Sequence, residues 1–202
     1  MTIDIDTVQA WLAQRDHLAE EIQQGDRLAA VAAVLRATPA GESEVLLIER
    51  ARHEADPWSG HMAFPGGRRD PEDEDLLRTA LRETREEVGL DLERHGQLLG
   101  RLDDLAAVAR GRRVGMIIAP FVFRLEGSPP LEANRREVET MLWAPLAPLA
   151  RGEADTTHPY VIDGQPAALP GYDVAGKIVW GLTYRMLSGL LDDVLRFARS
   201  RR

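Results

Sequence analysis

The chain has 202 residues, no cysteine and a formal net charge of −8. That length supports one domain with a full apolar core, and the missing cysteines exclude disulfides and thiolate zinc sites. The acidic balance argues against a general nucleic-acid-binding protein, because a phosphate backbone needs a basic face. The basic end at 199–202 reads as a solvated tail. With no basic-then-apolar leader pattern and no apolar run near the roughly 18–20 residues of a membrane span, a cytoplasmic protein without nucleic-acid or membrane partners is expected.

In chain order, Asp6 to Gln24 reads as an amphipathic helix, with Val8, Leu12, Leu18 and Ile22 sharing much of one face. "RLAAVAAVLRA" from Arg27 is apolar and unpunctuated, so a buried strand and a helix both fit it. "EVLLIER" from Glu44 predicts a strand. "DPWSGHMAFPGG" is a loop with a short extended piece, punctuated by Pro57, Pro65 and the glycines. A helix is predicted over Glu74 to Val88, with Gly89 as its C-cap. "VGMIIAPFVFRLE" from Val114 predicts a strand with a bulge or break at Pro120. "TMLWAPL" resembles a strand entering a turn, and Thr156 to Gly176 a long ordered loop or short hairpin. "KIVWGLTYRMLSGLLDDVLRFARS" is expected to close the chain as a helix. The alternation predicts an α/β sandwich, divided as an N-terminal helix in 1–25 and one domain over 26–202. The extra helix leaves room for a homodimer contact.

The chemistry concentrates after the double glycine. On a helix, Glu83, Glu86 and Glu87 are spaced i, i+3, i+4 and project within an arc of roughly 100°. Leu77, Leu81, Thr84 and Val88 form a separate stripe that can face the core. Clustered carboxylates repel unless something neutralises them, and a hard divalent cation such as Mg²⁺ does so with oxygen ligands. Arg82 and Arg85 offer partial neutralisation. Gly66 and Gly67 permit a tight turn whose backbone can approach a ligand.

"GGRRDPEDEDLLRTALRETREEVGL" resembles the Nudix box, G-x5-E-x7-R-E-U-x-E-E-x-G-U, with U a bulky apolar residue. Glu74 is followed after seven residues by Arg82-Glu83, then Glu86-Glu87, Gly89 and Leu90. Gly67 precedes Glu74 by six residues rather than five, and Thr84 stands where the pattern is apolar. The resemblance implies an α/β/α sandwich around a mixed sheet and hydrolysis of a nucleoside diphosphate linked to another group. It also implies Mg²⁺ or Mn²⁺ held by Glu83, Glu86 and Glu87, with Glu83 and Glu87 as primary ligands. Glu86 is a further ligand or orients the water, and the Gly67 carbonyl adds a metal oxygen. Arg82 fixes a glutamate rotamer. The general base is open, Glu137 and Glu139 being acids outside the box that could serve.

The chain resembles the coenzyme A pyrophosphatase branch most, from about Arg27 to Leu191, including "VLLIER" and "KIVWGLTYRML". A small nucleotide-type substrate, coenzyme A or acyl-coenzyme A, is therefore expected. The alternatives are ADP-ribose, nucleotide sugars or dinucleoside polyphosphates, or a non-catalytic nucleotide sensor. The branch's upstream signature, roughly L-L-T-x-R-S-x-x-L-R-x-H-x-G-Q-V-A-F-P-G-G, is altered here. Asp56 replaces its Arg, Trp58 its His and His61 its Gln, so weak discrimination for a 3′-phosphate is expected. Arg50, Arg52, Arg68 and Arg69 could grip phosphates or be surface charge. Trp58 could stack on an adenine or anchor a loop, and His61 could donate to a phosphate or be structural. Trp180 and Tyr184 read as core contacts of the last helix, while His158 could line the cleft.

Overall fold

The computed structural model describes residues 3–53, 58–109, 112–162 and 164–201. The sheet is built around β1 (Arg27–Ala37). Ala30, Ala32 and Val34 bury in one apolar cluster, and Ala29, Ala33 and Leu35 in another. A strand covered on both faces has no polar side, so its sequence shows no alternation. That is why strand and helix both fit this segment.

β1 lies between β2 (Ser43–Arg50) and β7 (Arg112–Leu125) in an eight-stranded sheet. The order is completed by β3 (Met62–Ala63) outside β2 and β5 (Gly96–Arg101) outside β7. Off this path, β4 (Gly66–Arg68) pairs β1, β6 (Leu105–Ala109) pairs β7, and β8 (Val138–Pro145) pairs β2. β1 and β7 run parallel and the other pairs antiparallel, so the sheet is mixed. On one face, α2 (Leu76–Val88) buries Ala80 and Val88. On the other, α1 (Ile5–Leu12) and α5 (Gly181–Ser200) bury Val8, Trp11, Leu187 and Leu191 in a single cluster. The expected α/β/α sandwich and its N-terminal helix are both present. Short helices α3 (Leu92–His95) and α4 (Leu146–Ala150) follow α2 and β8.

Four expectations change. The N-terminal helix stops at Leu12, capped by Ala13, instead of reaching Gln24. Leu18 and Ile22 are 71% and 62% exposed, so the apolar stripe that motivated a longer helix finds nothing to cover it. The chain there is tied to 103–104 instead: Leu18 donates its N–H to Asp103 Oδ1 at 2.7 Å and its carbonyl accepts from the Asp104 N–H at 2.9 Å. Second, β7 runs unbroken through Pro120. The irregularities fall in its neighbours, between Leu98 and Gly100 of β5 and between Ala106 and Val108 of β6. In the gap between them, Leu102 donates to the Pro120 carbonyl at 2.9 Å. The Pro120 nitrogen therefore faces the interrupted neighbour, and no bond to β1 is lost.

Third, of the two alternatives for 156–176 the hairpin is the one present, and it is long rather than short. It forms most of β9 (Asp155–Ile162) and β10 (Gln165–Val174), paired antiparallel over eight positions from Gln165–Ile162 to Tyr172–Asp155. Fourth, "KIVW" is not helical but forms β11 (Lys177–Trp180), the third strand of that small sheet. Its pairing with β10 outweighs the helical spacing that Trp180 shares with Tyr184.

Candidate active site

α2 begins where the Asp75 side chain accepts the Arg78 N–H (2.8 Å) and ends at Gly89, whose φ of +68° gives the left-handed cap. Thr84, at the position where the motif is apolar, is fully buried because its hydroxyl is spent on the Ala80 carbonyl at 2.7 Å. With that face fixed inward, Glu83 and Glu87 point at the turn formed by Gly66 and Gly67.

Both glycines are closely approached, Gly66 by backbone and Gly67 by a side-chain end. A Cβ on Gly66 would meet the Ala30 carbonyl at 2.3 Å, where φ is +150°. A Cβ on Gly67 would sit 2.5 Å from the Glu83 carboxylate. The Gly66 N–H donates to Glu87 Oε2 at 2.8 Å. Arg50 approaches Glu87 Oε1 at 3.8 Å. Glu137, just before β8, completes the group: Glu83, Glu87 and Glu137 each offer one oxygen, all within 4.8 Å of one another. A hard octahedral ion spans ligands up to roughly 4.2 Å apart, so a small contraction closes this group on one divalent cation.

The electrostatics agree with that fit. Burial pushes the Glu87 carboxyl up to about 8; the Gly66 N–H and Arg50 oppose the rise, and Glu83 and Glu137 add to it. Burial also raises Glu83, against the pull of Arg82 and with a push from Glu86 and Glu137. Three acids converge where protein alone supplies too little positive charge.

Arg82 is the pivot beneath them. Nε and Nη2 bind Asp73 Oδ1 and Oδ2 at 3.0 and 2.9 Å, and Nη1 reaches Glu83 Oε1 at 2.9 Å and Glu86 Oε2 at 3.2 Å. Asp73, 7% exposed, also accepts from the Thr79 hydroxyl at 2.8 Å and the Asp70 N–H at 3.0 Å. The Arg82 guanidinium holds the Asp73 carboxyl well below the usual carboxylate range. Asp73 escapes the sequence reading because in "PEDED" every acid looks the same. Only the fold turns one of those carboxylates inward.

The remaining candidates separate. Glu86 is half exposed and stays outside the three-acid group, bound to Arg82. Arg69 is engaged with the Asp73 and Glu74 carbonyls at 2.9–3.3 Å. Arg68 is exposed, and its carbonyl accepts from Arg82 at 3.0 Å. Trp58 packs against the core, and Asp56 lies outside the described residues. His61 lies against Trp180 (4.6 Å between ring centroids), which also stacks on His158 (4.0 Å) and meets Tyr160 (5.4 Å). Trp180 is thus an aromatic hub on β11 rather than a helix core residue, and Tyr184 pairs with Tyr172 instead. Arg52 and Glu139 line a separate pocket beside Lys177.

Residues 26–164 match the NUDIX domain, and the chain belongs to the Nudix family. It is 31% identical over 168 residues to a Nudix hydrolase, NudL, of Photorhabdus laumondii, covering 81% of this chain and 84% of that one. It is 35% identical over 125 residues to the peroxisomal coenzyme A diphosphatase ndx-8 of Caenorhabditis elegans, covering 61% of this chain and 51% of that one. Of a Schizosaccharomyces pombe relative, 42% identical over 114 residues (55% of this chain), it covers 35%. An Ap4A hydrolase of C. elegans shares the fold at a TM-score of 0.55 and 20% identity, over 86% of this chain and 98% of that one. Among the described residues, no helix is long and apolar enough to cross a membrane.

Proposed function

We propose that the chain is a metal-dependent pyrophosphohydrolase that cleaves the diphosphate of a nucleoside-diphosphate-linked small molecule, with coenzyme A or acyl-coenzyme A as its substrate. The observation that carries the reading is the convergence of Glu83, Glu87 and Glu137 beside the Gly66–Gly67 turn, within a region that matches a hydrolase family. The coenzyme A reading draws on the nematode relative's name and on "VLLIER" and "KIVWGLTYRML".

In this reading Glu83, Glu87 and Glu137 hold Mg²⁺ or Mn²⁺, with the Gly67 carbonyl as a further oxygen. When bound, such an ion supplies positive charge for the phosphate oxygens and makes water a better nucleophile. Water adds to one phosphorus, the bridging P–O bond breaks, and the second phosphate leaves with that oxygen. The water proton passes to a carboxylate. Glu86 is the acid proposed for this role, because it shares Arg82 with Glu83 and remains half exposed. Arg82, locked by Asp73, keeps Glu83 from swinging away. Arg50, beside Glu87, is the cation proposed to meet the diphosphate, with Arg68 next to the glycine turn and Arg52 in the neighbouring pocket as further candidates.

The test is a panel of coenzyme A, ADP-ribose, nucleotide sugars and dinucleoside polyphosphates with Mg²⁺ or Mn²⁺, read by kcat/KM. Coenzyme A should be cleaved to phosphopantetheine and adenosine 3′,5′-bisphosphate. Rapid cleavage of ADP-ribose with none of coenzyme A would sink the substrate assignment. Binding without cleavage of any compound would make the chain a sensor.

A further inference from the structure

A pocket of about 690 Å³ lies beside the carboxylate group, at the end of β2 and the start of β8. Its cations are Arg52, Arg135, Arg136 and Lys177, with the His53 imidazole among them. Its carboxylates are Glu49 and Glu139. Glu49 is already committed, being 7% exposed and bound to Lys177 Nζ at 2.7 Å. Arg135 is steered by the Glu139 carbonyl at 2.8 Å, and His53 Nε2 meets the Arg136 carbonyl at 2.9 Å. Arg52 and Arg136 have no carboxylate partner among the described residues. With Lys177 offset by Glu49, three arginines share this concavity with the single carboxylate of Glu139, an excess of positive charge in a chain of net charge −8 that favours a bound anion.

The pocket's lining residues adjoin residues of the acid site along two segments of the chain. Arg50 reaches toward Glu87 while Glu49, Ala51 and Arg52 line the pocket. Arg135 and Arg136 line it while Glu137, next in sequence, joins the acids. The Ala51 N–H donates to the Glu137 carbonyl at 2.7 Å, tying the two segments into one ridge.

We propose that this pocket is a subsite for a phosphate monoester that the substrate carries outside its scissile diphosphate. The inference rests on the reading of the acids as the diphosphate-cleaving centre. A phosphate monoester brings nearly two negative charges and three acceptor oxygens, which arginine forks match in pairs. The sequence alone points to weak 3′-phosphate discrimination, because Asp56 stands in for an arginine. The pocket supplies cations from 135–136 and 177, far from that motif, so strong discrimination is expected instead.

The test compares adenosine 3′,5′-bisphosphate with adenosine 5′-monophosphate by titration calorimetry, a readout that needs no turnover. The wild type should bind the bisphosphate at least about tenfold more tightly, the worth of a charge-assisted contact. Arg52→Ala and Arg136→Ala, both at exposed positions, should each cut that ratio to about threefold or less, and Arg136→Glu should abolish it. The ratio within one variant is insensitive to a general loss of folded protein. Equal affinity of the wild type for the two nucleotides, or a ratio that all three variants leave intact, overturns the subsite. A retained ratio in a protein that hydrolyses none of the panel would overturn the proposed reaction and leave the subsite standing.

Discussion

Glu87 is only 2% exposed, so its charge is kept out of water at a cost that no surface glutamate bears. Glu83→Gln and Glu87→Gln keep shape and remove charge. Turnover should fall by about two orders of magnitude or more, because the cation loses a charged ligand. The melting temperature should stay within a few degrees, since the amide oxygen introduced by Glu87→Gln can still accept the Gly66 N–H. Near wild-type turnover at saturating Mg²⁺ would remove that residue from the site. The two glycines beside these acids should respond in opposite ways. Gly66→Ala drives a Cβ into the Ala30 backbone and should lower the melting temperature sharply. Gly67→Ala meets only the movable end of Glu83, so the fold should survive while divalent-cation affinity drops about tenfold or more. Calorimetry with Mn²⁺ alongside thermal melts would separate the two, and equal melting temperatures would contradict the assignment.

At the scale of elements, the loop before α2 and the helix are welded by Asp73, Thr79 and Arg82. Asp73→Asn keeps the hydrogen-bonding shape but weakens a charge-assisted pair, a loss of about 2 kcal/mol near neutral pH. The sign with pH follows from the direction of the shift. The folded-state pKa of Asp73 lies below its ordinary 3.8, so its contribution is complete above that pH and is lost as pH falls through the lower folded value. The gap in unfolding free energy between wild type and variant should therefore be constant from about pH 5 to 8 and close below about pH 4. Denaturant titrations across that range would show it, and a gap that widened in acid would contradict the weld. Turnover should fall as well, because a loosened Arg82 no longer steers Glu83.

For the whole molecule, α1 closes the core, placing Trp11 in the same cluster as Leu187 and Leu191 of α5. Trp11→Ala should cost about 3 kcal/mol or more, which at this chain length lowers the melting temperature by roughly 6–12 °C. A shift under about 2 °C would mean that α1 is an ornament rather than a wall. Leu18→Ala, at a site 71% exposed, should change little, although in the sequence Leu18 shares one helical stripe with the buried Leu12.

The sequence by itself determined the helix of the acids, its cap, the strand "EVLLIER" and the box glutamates, because each rests on spacing within a dozen residues or on a local backbone demand. Helical period and glycine conformation need no partner to be read. The tertiary structure alone decided which acids meet: Glu137 joins Glu83 and Glu87 from 50 residues away, while Glu86, one position from Glu87, turns outward to Arg82. It also decided that Leu18 has nothing to pack against, that Pro120 sits opposite a gap, and that "KIVW" pairs as a strand. Burial, sheet pairing and ion pairing depend on what the rest of the chain brings to a position, and that is set by the whole packed sheet rather than by neighbours in sequence.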